Sequence, residues 1–191
     1  MTECTVDAPA LVLGSTQPWT DARAGSGLDV VRRHSGGGAV LVEPGGVAWV
    51  DVFLPAGDPL WSDDVGQAFW WLGDAWAAAL ASLGMDGLSV HRGGLISTRW
   101  SRMVCFAGLG AGEVTDGAGA KLVGMAQRRT RAGALFQCAV PLRWDVERLV
   151  AALDIPASAA RDLVHVAQPL PEGVGAGDVT MALLAHFPDH S

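Results

Sequence analysis

Three consecutive glycines, Gly36-Gly37-Gly38, sit between two stretches that read as strands, Asp29-Val30-Val31-Arg32-Arg33 before them and Ala39-Val40-Leu41-Val42 after. Such a run permits a backbone path closed to any residue with a Cβ, and it lets a ligand approach the main chain closely. Backbone N–H groups turned inward at such a place hold an anion. Arg32 and Arg33, just upstream with His34 and Ser35, add planar forks suited to phosphate or carboxylate oxygens. A glycine triplet alone is more often only a flexible turn. Its placement between two strands, beside paired arginines, gives it weight.

The surrounding pattern predicts a strand-rich first third. Ala10–Gly14 and Val47–Leu54 are apolar runs closed by Gly or Pro, like the two strands that bracket the glycines. A helix follows: Val65, Phe69, Leu72, Trp76, Ala79 or Leu80, and Leu83 recur at steps of three and four, Asp64 and Gln67 mark its start, and Gly84 its end. Further strands are expected at Leu88–Val90, Met103–Phe106, Leu122–Gln127 and Ala134–Val140, and helices at Asp145–Leu153, in the Ala-rich stretch to Val166, and at Val179–His186. Strands flanked by separate helices indicate an α+β domain. At 191 residues, half of them apolar, one domain over 1–191 is expected: a motif-bearing part at about 10–142, a helical part at 143–191 and no separate accessory domain.

The formal net charge of -7 argues against a general nucleic-acid binder. No basic start precedes an apolar run at the N-terminus, and no eighteen apolar residues run together, so neither export nor a membrane span is predicted. Three cysteines without a C-x-x-C pair, Cys4, Cys105 and Cys138, suit a reducing, cytoplasmic setting.

Among thirteen basic residues only one is a lysine. Lys121 lies in the Gly-rich segment Gly117–Gly124, and Arg128, Arg129 and Arg131 follow, with no acid between Gly117 and Ala132. Together with Arg32 and Arg33 these make a local basic concentration in an acidic chain, as an anion site requires. The usual nucleotide motifs are absent: there is no G-x-x-x-x-G-K-[ST], and Gly108, Gly110 and Gly112 miss the G-x-G-x-x-G spacing. No metal site is predicted, since Pro188 breaks the helical register between His186 and His190.

The two basic segments together resemble the lipoate protein ligase family. Arg32-Arg33-x-Ser35-Gly36-Gly37-Gly38-Ala39-Val40 matches its signature loop, RRxSGGGAV. Gly119-Ala120-Lys121-Leu122-Val123-Gly124-Met125-Ala126-Gln127 is similar to its second signature, a Gly-x-Lys-x-x-Gly-x-Ala-Gln segment with a single essential lysine. Weaker echoes occur at Val12–Gln17 and at Cys105-Phe106.

The resemblance implies the mixed sheet flanked by helices shared by biotin protein ligases and class II aminoacyl-tRNA synthetases. It also implies a two-stage reaction: lipoate or octanoate attacks ATP to give an acyl-adenylate, normally with Mg²⁺, and a lysine of an acceptor lipoyl-domain protein then takes the acyl group. Lys121 is the implied catalytic residue. Arg32, Arg33, Ser35, Gly36, Gly37, Gly38, Ala39, Gly124 and Ala126 would bind acid and nucleotide, with Arg33 the preferred direct ligand, because adjacent strand residues point to opposite faces.

Three departures qualify the match. The family carries a helix and strand ahead of the position of Val12 that find no room here, which suggests a truncated N-terminus. Gln137-Cys138 replaces the family's His-Gly, and no accessory domain fits. Two rival readings follow: an ATP-independent octanoyl or lipoyl transferase drawing on acyl carrier protein, with Cys138 as nucleophile and Cys105 in the core; and a non-catalytic acyl- or nucleotide-binding module. A separate accessory subunit or an acyl carrier protein is a further candidate partner.

Overall fold

A computed structural model describes residues 1–188. Its centre is a six-stranded antiparallel sheet, ordered β1 (Thr2–Cys4), β5 (Val47–Pro55), β9 (Gly133–Pro141), β8 (Lys121–Thr130), β7 (Val114–Thr115) and β6 (Ser89–Val90). β5 forms where β-branched and aromatic residues run on, and β9 and the first half of β8 are apolar runs buried on both faces, as a sheet covered on both sides requires. A second, three-stranded sheet sets β2 (Ala10–Leu13) between β3 (Asp29–Arg32) and β4 (Val40–Val42). The β2–β3 pair is parallel and β2–β4 antiparallel, so the mixed character lies in this small sheet.

One face of the large sheet is covered by α1 (Trp70–Ser82) and α4 (Ala176–Ala185) around Trp76, Phe136, Leu72 and Leu183, all fully buried. The small sheet stacks on the other face, with Val12, Val40 and Val42 meeting Trp49, Phe106 and Ala139. Its far side is closed by α2 (Val146–Ala152) and α3 (Ala160–Leu163) on Leu11 and Leu13. Helices thus flank a sheet core on separate sides, the expected α+β arrangement.

The Asp64 carboxylate accepts the N–H groups of Gly66 and Gln67 and starts a 3₁₀ turn that leads into α1. Val65 is 59% exposed and leaves the predicted stripe, because it precedes the first helical turn. Met103–Phe106, expected as a strand, instead makes one bridge from Val104 to Ala39 and turns into a 3₁₀ helix at Cys105–Ala107. β1 and β7 lie outside the strands expected from the sequence.

Candidate functional site

The glycine triplet is held from both sides. Arg33 donates its main-chain N–H to the Leu13 carbonyl, and Ser15 donates to the Ser35 carbonyl, which stitches the loop to the end of β2. The buried Arg33 guanidinium then turns back on its own loop. Its Nη2 donates to Gly36 O at 2.5 Å and Gly38 O at 2.9 Å, and its Nη1 to Val12 O at 3.4 Å. Burial lowers its pKa below the ordinary arginine value, with the neighbouring Cys105 acting the other way. Arg32 points elsewhere, donating to the Gly14 and Ser15 carbonyls and lying over the Trp19 ring at 4.5 Å. The two arginines, one at the end of β3 and one just past it, point apart, and Arg33 spends three of its five N–H donors on backbone carbonyls. It is first an organiser of the loop.

Glycine is required here by close approach. A Cβ on Gly38 would lie 2.6–2.7 Å from backbone atoms of Val104 and Cys105, and one on Gly14 would lie 1.9 Å from the Gly37 carbonyl oxygen. Gly37 itself has φ +95°, a conformation L side chains rarely adopt. The loop is thereby pressed onto the segment Val104–Phe106, with Cys105 N donating to Ala39 O and Ala39 N to Met103 O.

The lysine arrives at the same segment from β8. Lys121 is 3% exposed, and its Nζ donates to the Cys105 carbonyl at 2.8 Å and pairs with Glu113 at 2.7 Å. The Phe106 ring lies 5.5 Å from the ammonium. Main-chain bonds fix the strand at this point: Lys121 N donates to Val166 O, and Gln168 N to Lys121 O.

Strand register decides what else reaches the site. Gly124 pairs with Ala139 and Ala126 with Gln137, and across β9 Asp51 pairs with Gln137, so Gly124, Ala126, Gln137 and Asp51 share the face toward the small sheet. A Cβ on Gly124 would meet Cys105 Sγ at 3.4 Å. The Gln137 side-chain carbonyl accepts from Ser35 N at 3.2 Å and Ser35 Oγ at 3.0 Å, while its amide donates toward the Asp51 carboxylate at 3.3 Å. Gln137 thus ties the loop to β5 through hydrogen bonds. Beside it opens an apolar cleft of about 290 Å³, whose walls include Val12, Val42, Trp49, Asp51, Gln137 and both Arg32 and Arg33. A larger pocket of about 640 Å³, between Arg23 and the end of α2, contains none of the motif residues.

Cys138 does not join this site. It faces α1 with Val50 and Met125, is 0% exposed, and its thiol is pushed up to about 12, mainly by burial. A thiol in that position neither ionises readily nor meets a substrate. The thiol beside Arg33, Gly124 and the lysine-bound carbonyl is the half-buried Cys105, which the sequence reading placed in the core. Its sequence signal was the weak family echo at Cys105-Phe106, ahead of the lysine segment. Glu113 and Asp51 carried no sequence signal that set them apart from other acids.

Of the downstream arginines, Arg128 reaches His34 at 3.1 Å and Arg129 donates to the Ser62 carbonyl at 2.6 Å. His186 Nδ1 lies 2.9 Å from the Ala182 carbonyl, while His190 falls outside the described residues. Among the described residues no three His, Cys, Asp or Glu side chains converge on a metal position, and no helix is long and apolar enough to cross a membrane.

Residues 4–188 match the model of the lipoyl protein ligase A/B catalytic domain. The chain belongs to that family. Solved structures agree on the fold of this lipoyl ligase-type domain. A bi-partite lipoate protein ligase from Thermoplasma acidophilum, described with its E2 lipoyl domain, superposes with TM-score 0.73 at 19% identity over 94% of this chain and 66% of that one. Protein Ta0514 of T. acidophilum, solved with bound lipoic acid, gives 0.67 at 19% identity, covering 94% and 67%. A lipoate-protein ligase A bound with ATP gives 0.63 at 19% identity, covering 94% and 68%. The lipoyl ligase-type domain therefore spans about two thirds of the length of these ligases. Comparison with curated proteins gives no match.

Proposed function

We propose that this domain activates lipoate or octanoate with ATP and passes the acyl group to a lysine of an acceptor lipoyl domain. The observation that carries the reading is the meeting of both signature segments on one stretch of backbone: Gly38 packs on Val104–Cys105, and Lys121 donates to the Cys105 carbonyl. The acid's carboxylate attacks the α-phosphate, forming a mixed anhydride as the bond to pyrophosphate breaks. An amine then attacks the acyl carbonyl, and AMP leaves with the electron pair of the cleaved C–O bond. Negative charge grows on the phosphoryl oxygens in the first step and on the acyl oxygen in the second. A preorganised ammonium beside those atoms is worth about 3 kcal/mol. Lys121 fills that role, and the cleft lined by Val12, Val42 and Trp49 suits the aliphatic chain. The loop Ser35–Ala39, joined to Gln137 through Ser35, and Gly124 and Ala126 on the same sheet face as Gln137 would wall the activated acid.

Among the described residues no three His, Cys, Asp or Glu side chains are grouped to hold the magnesium that the resemblance implies. Both oxygens of Glu113, the carboxylate beside Lys121, are taken by the ammonium and two backbone N–H groups. The T. acidophilum relative is described as bi-partite, which supports a separate accessory subunit as a partner of this domain.

A second reading has its own observation. Cys105 is half-buried in the site, so an ATP-independent transfer from an acyl carrier protein would run through Cys105, not Cys138: the thiolate attacks the carrier thioester, the carrier thiol leaves, and the acceptor amine then displaces Cys105. Incubation of the protein with apo lipoyl domain, with and without Mg-ATP and free acid, separates the two. A mass gain of one lipoyl group that needs ATP supports the ligase. Gain from octanoyl carrier protein without ATP, lost in Cys105→Ser, supports the transferase. Tight ligand retention with neither product or adenylate refutes both and leaves a binding module.

A further inference from the structure

Glu113 is as buried as the lysine it pairs with, each side chain 4% exposed, and nothing in the reaction proposed above uses it. Its surroundings are unusually complete. Oε2 accepts from Gly110 N at 2.6 Å as well as from Lys121 Nζ at 2.7 Å, and Oε1 accepts from Met125 N at 2.9 Å. Those two N–H groups come from different elements, the loop ahead of β7 and the middle of β8. The carboxylate is therefore anchored without help from the lysine, and its position does not depend on where the long lysine chain swings.

An ammonium has three N–H donors. Glu113 takes one and the Cys105 carbonyl takes a second, which leaves one direction open. The Phe106 ring packs beside the charge. A lysine chain with four rotatable bonds has no fixed aim of its own. Here two anchored acceptors on different sides define it.

We infer that Glu113 is the positioning residue of Lys121: it holds the ammonium against the segment under the glycine loop so that the remaining N–H meets the charge forming on the substrate. What that N–H meets rests on the acyl-transfer reading; the clamp itself does not. Glu113 touches no reacting atom and acts only through the lysine. Removing its charge leaves Lys121 tethered by one carbonyl, free to rotate away.

Because Lys121 is the chain's only lysine, ¹⁵N-lysine labelling gives a single side-chain resonance, which reads the clamp without reference to activity. In the native protein the ammonium protons exchange slowly with water. In Glu113→Gln they exchange at least about tenfold faster. Equal exchange in the two proteins overturns the proposal. Kinetics give the second reading. Glu113→Gln lowers kcat by about 100-fold, the scale of a misplaced catalytic group, while KM for acid and nucleotide stays within about twofold. Glu113→Asp, which keeps the charge, recovers part of the loss. The double variant with Lys121→Ala is no slower than Lys121→Ala alone; losses that multiply would mean Glu113 acts on its own and would end the positioning role. Should Glu113→Gln fail to fold, Glu113→Asp is compared with the native protein by the same exchange measurement, and unchanged exchange counts against the clamp. A native protein without transfer activity sinks the proposed function, while the labelled lysine still decides the clamp.

Discussion

Replacing Gly14 by alanine tests whether the glycine loop is held in place by backbone packing. The added Cβ would sit 1.9 Å from the Gly37 carbonyl oxygen, 3.0 Å from its carbon and 3.3 Å from the carbon of Gly36. An ordinary carbon–oxygen contact is about 3.3 Å, so the loop or the end of β2 must move by roughly 1.4 Å. All the clashing atoms are backbone, and no side chain can swing aside. The movement pulls on Arg33, whose Nη2 holds Gly36 O and Gly38 O, and on the Ser15–Ser35 bond. Overpacking of this kind costs roughly 1–3 kcal/mol, and weakening one hydrogen bond to a charged group adds about 1.5 kcal/mol.

A loss of about 3 kcal/mol is expected, and in a domain of this size that lowers Tm by roughly 6–12 °C. The matched control is Gly36→Ala, where a Cβ meets nothing within 4 Å and the backbone lies outside the left-handed region. It should change stability by less than about 0.5 kcal/mol. Urea unfolding of both variants against the native protein provides the measurement. Equal stability of Gly14→Ala and Gly36→Ala would refute the close packing of β2 on the loop, and with it the argument that Arg33 holds a preformed cradle.

Lys121→Ala removes one partner of a buried ion pair and should lower stability by about 3 kcal/mol as well as slow transfer by about 100-fold or more; urea unfolding at native stability would show that the pair does not form in solution. Gln137→Leu leaves the Ser35 N–H and hydroxyl without their acceptor and should cost about 1–3 kcal/mol in the same assay, with no change if water replaces the amide. Cys138 carries a pH signature. Its folded pKa is raised to about 12 from 9.0, so between those values the unfolded chain binds fewer protons than the native one and stability falls as pH rises. From pH 8 to pH 10.5 that amounts to roughly 2 kcal/mol, and the gap between native protein and Cys138→Ala should shrink accordingly; a gap independent of pH would mean the thiol is not buried as described.

The sequence revealed what composition can carry alone. Glycine is the residue whose absence of a side chain is itself the signal, and a single lysine among twelve arginines stands out without any structure. The glycine loop's partner on β9, by contrast, is a product of register. Gln137 and Cys138 are neighbours on β9, and which of them faces the loop depends on Ala126 pairing with Gln137 and Met125 with Cys138. A slip of one residue would exchange them. Apolar composition reads the burial of Met103–Phe106 correctly yet says nothing of its backbone, because a turn wedged between two sheets is as apolar as a strand. That wedge carries the Cys105 carbonyl to Lys121 and its thiol toward Gly124. Glu113 lies on the lysine side of the wedge and the glycine loop on the other, so motion of Val104–Phe106 would alter the lysine's aim and the cradle together. The two signature segments are coupled mechanically through backbone that neither signature contains.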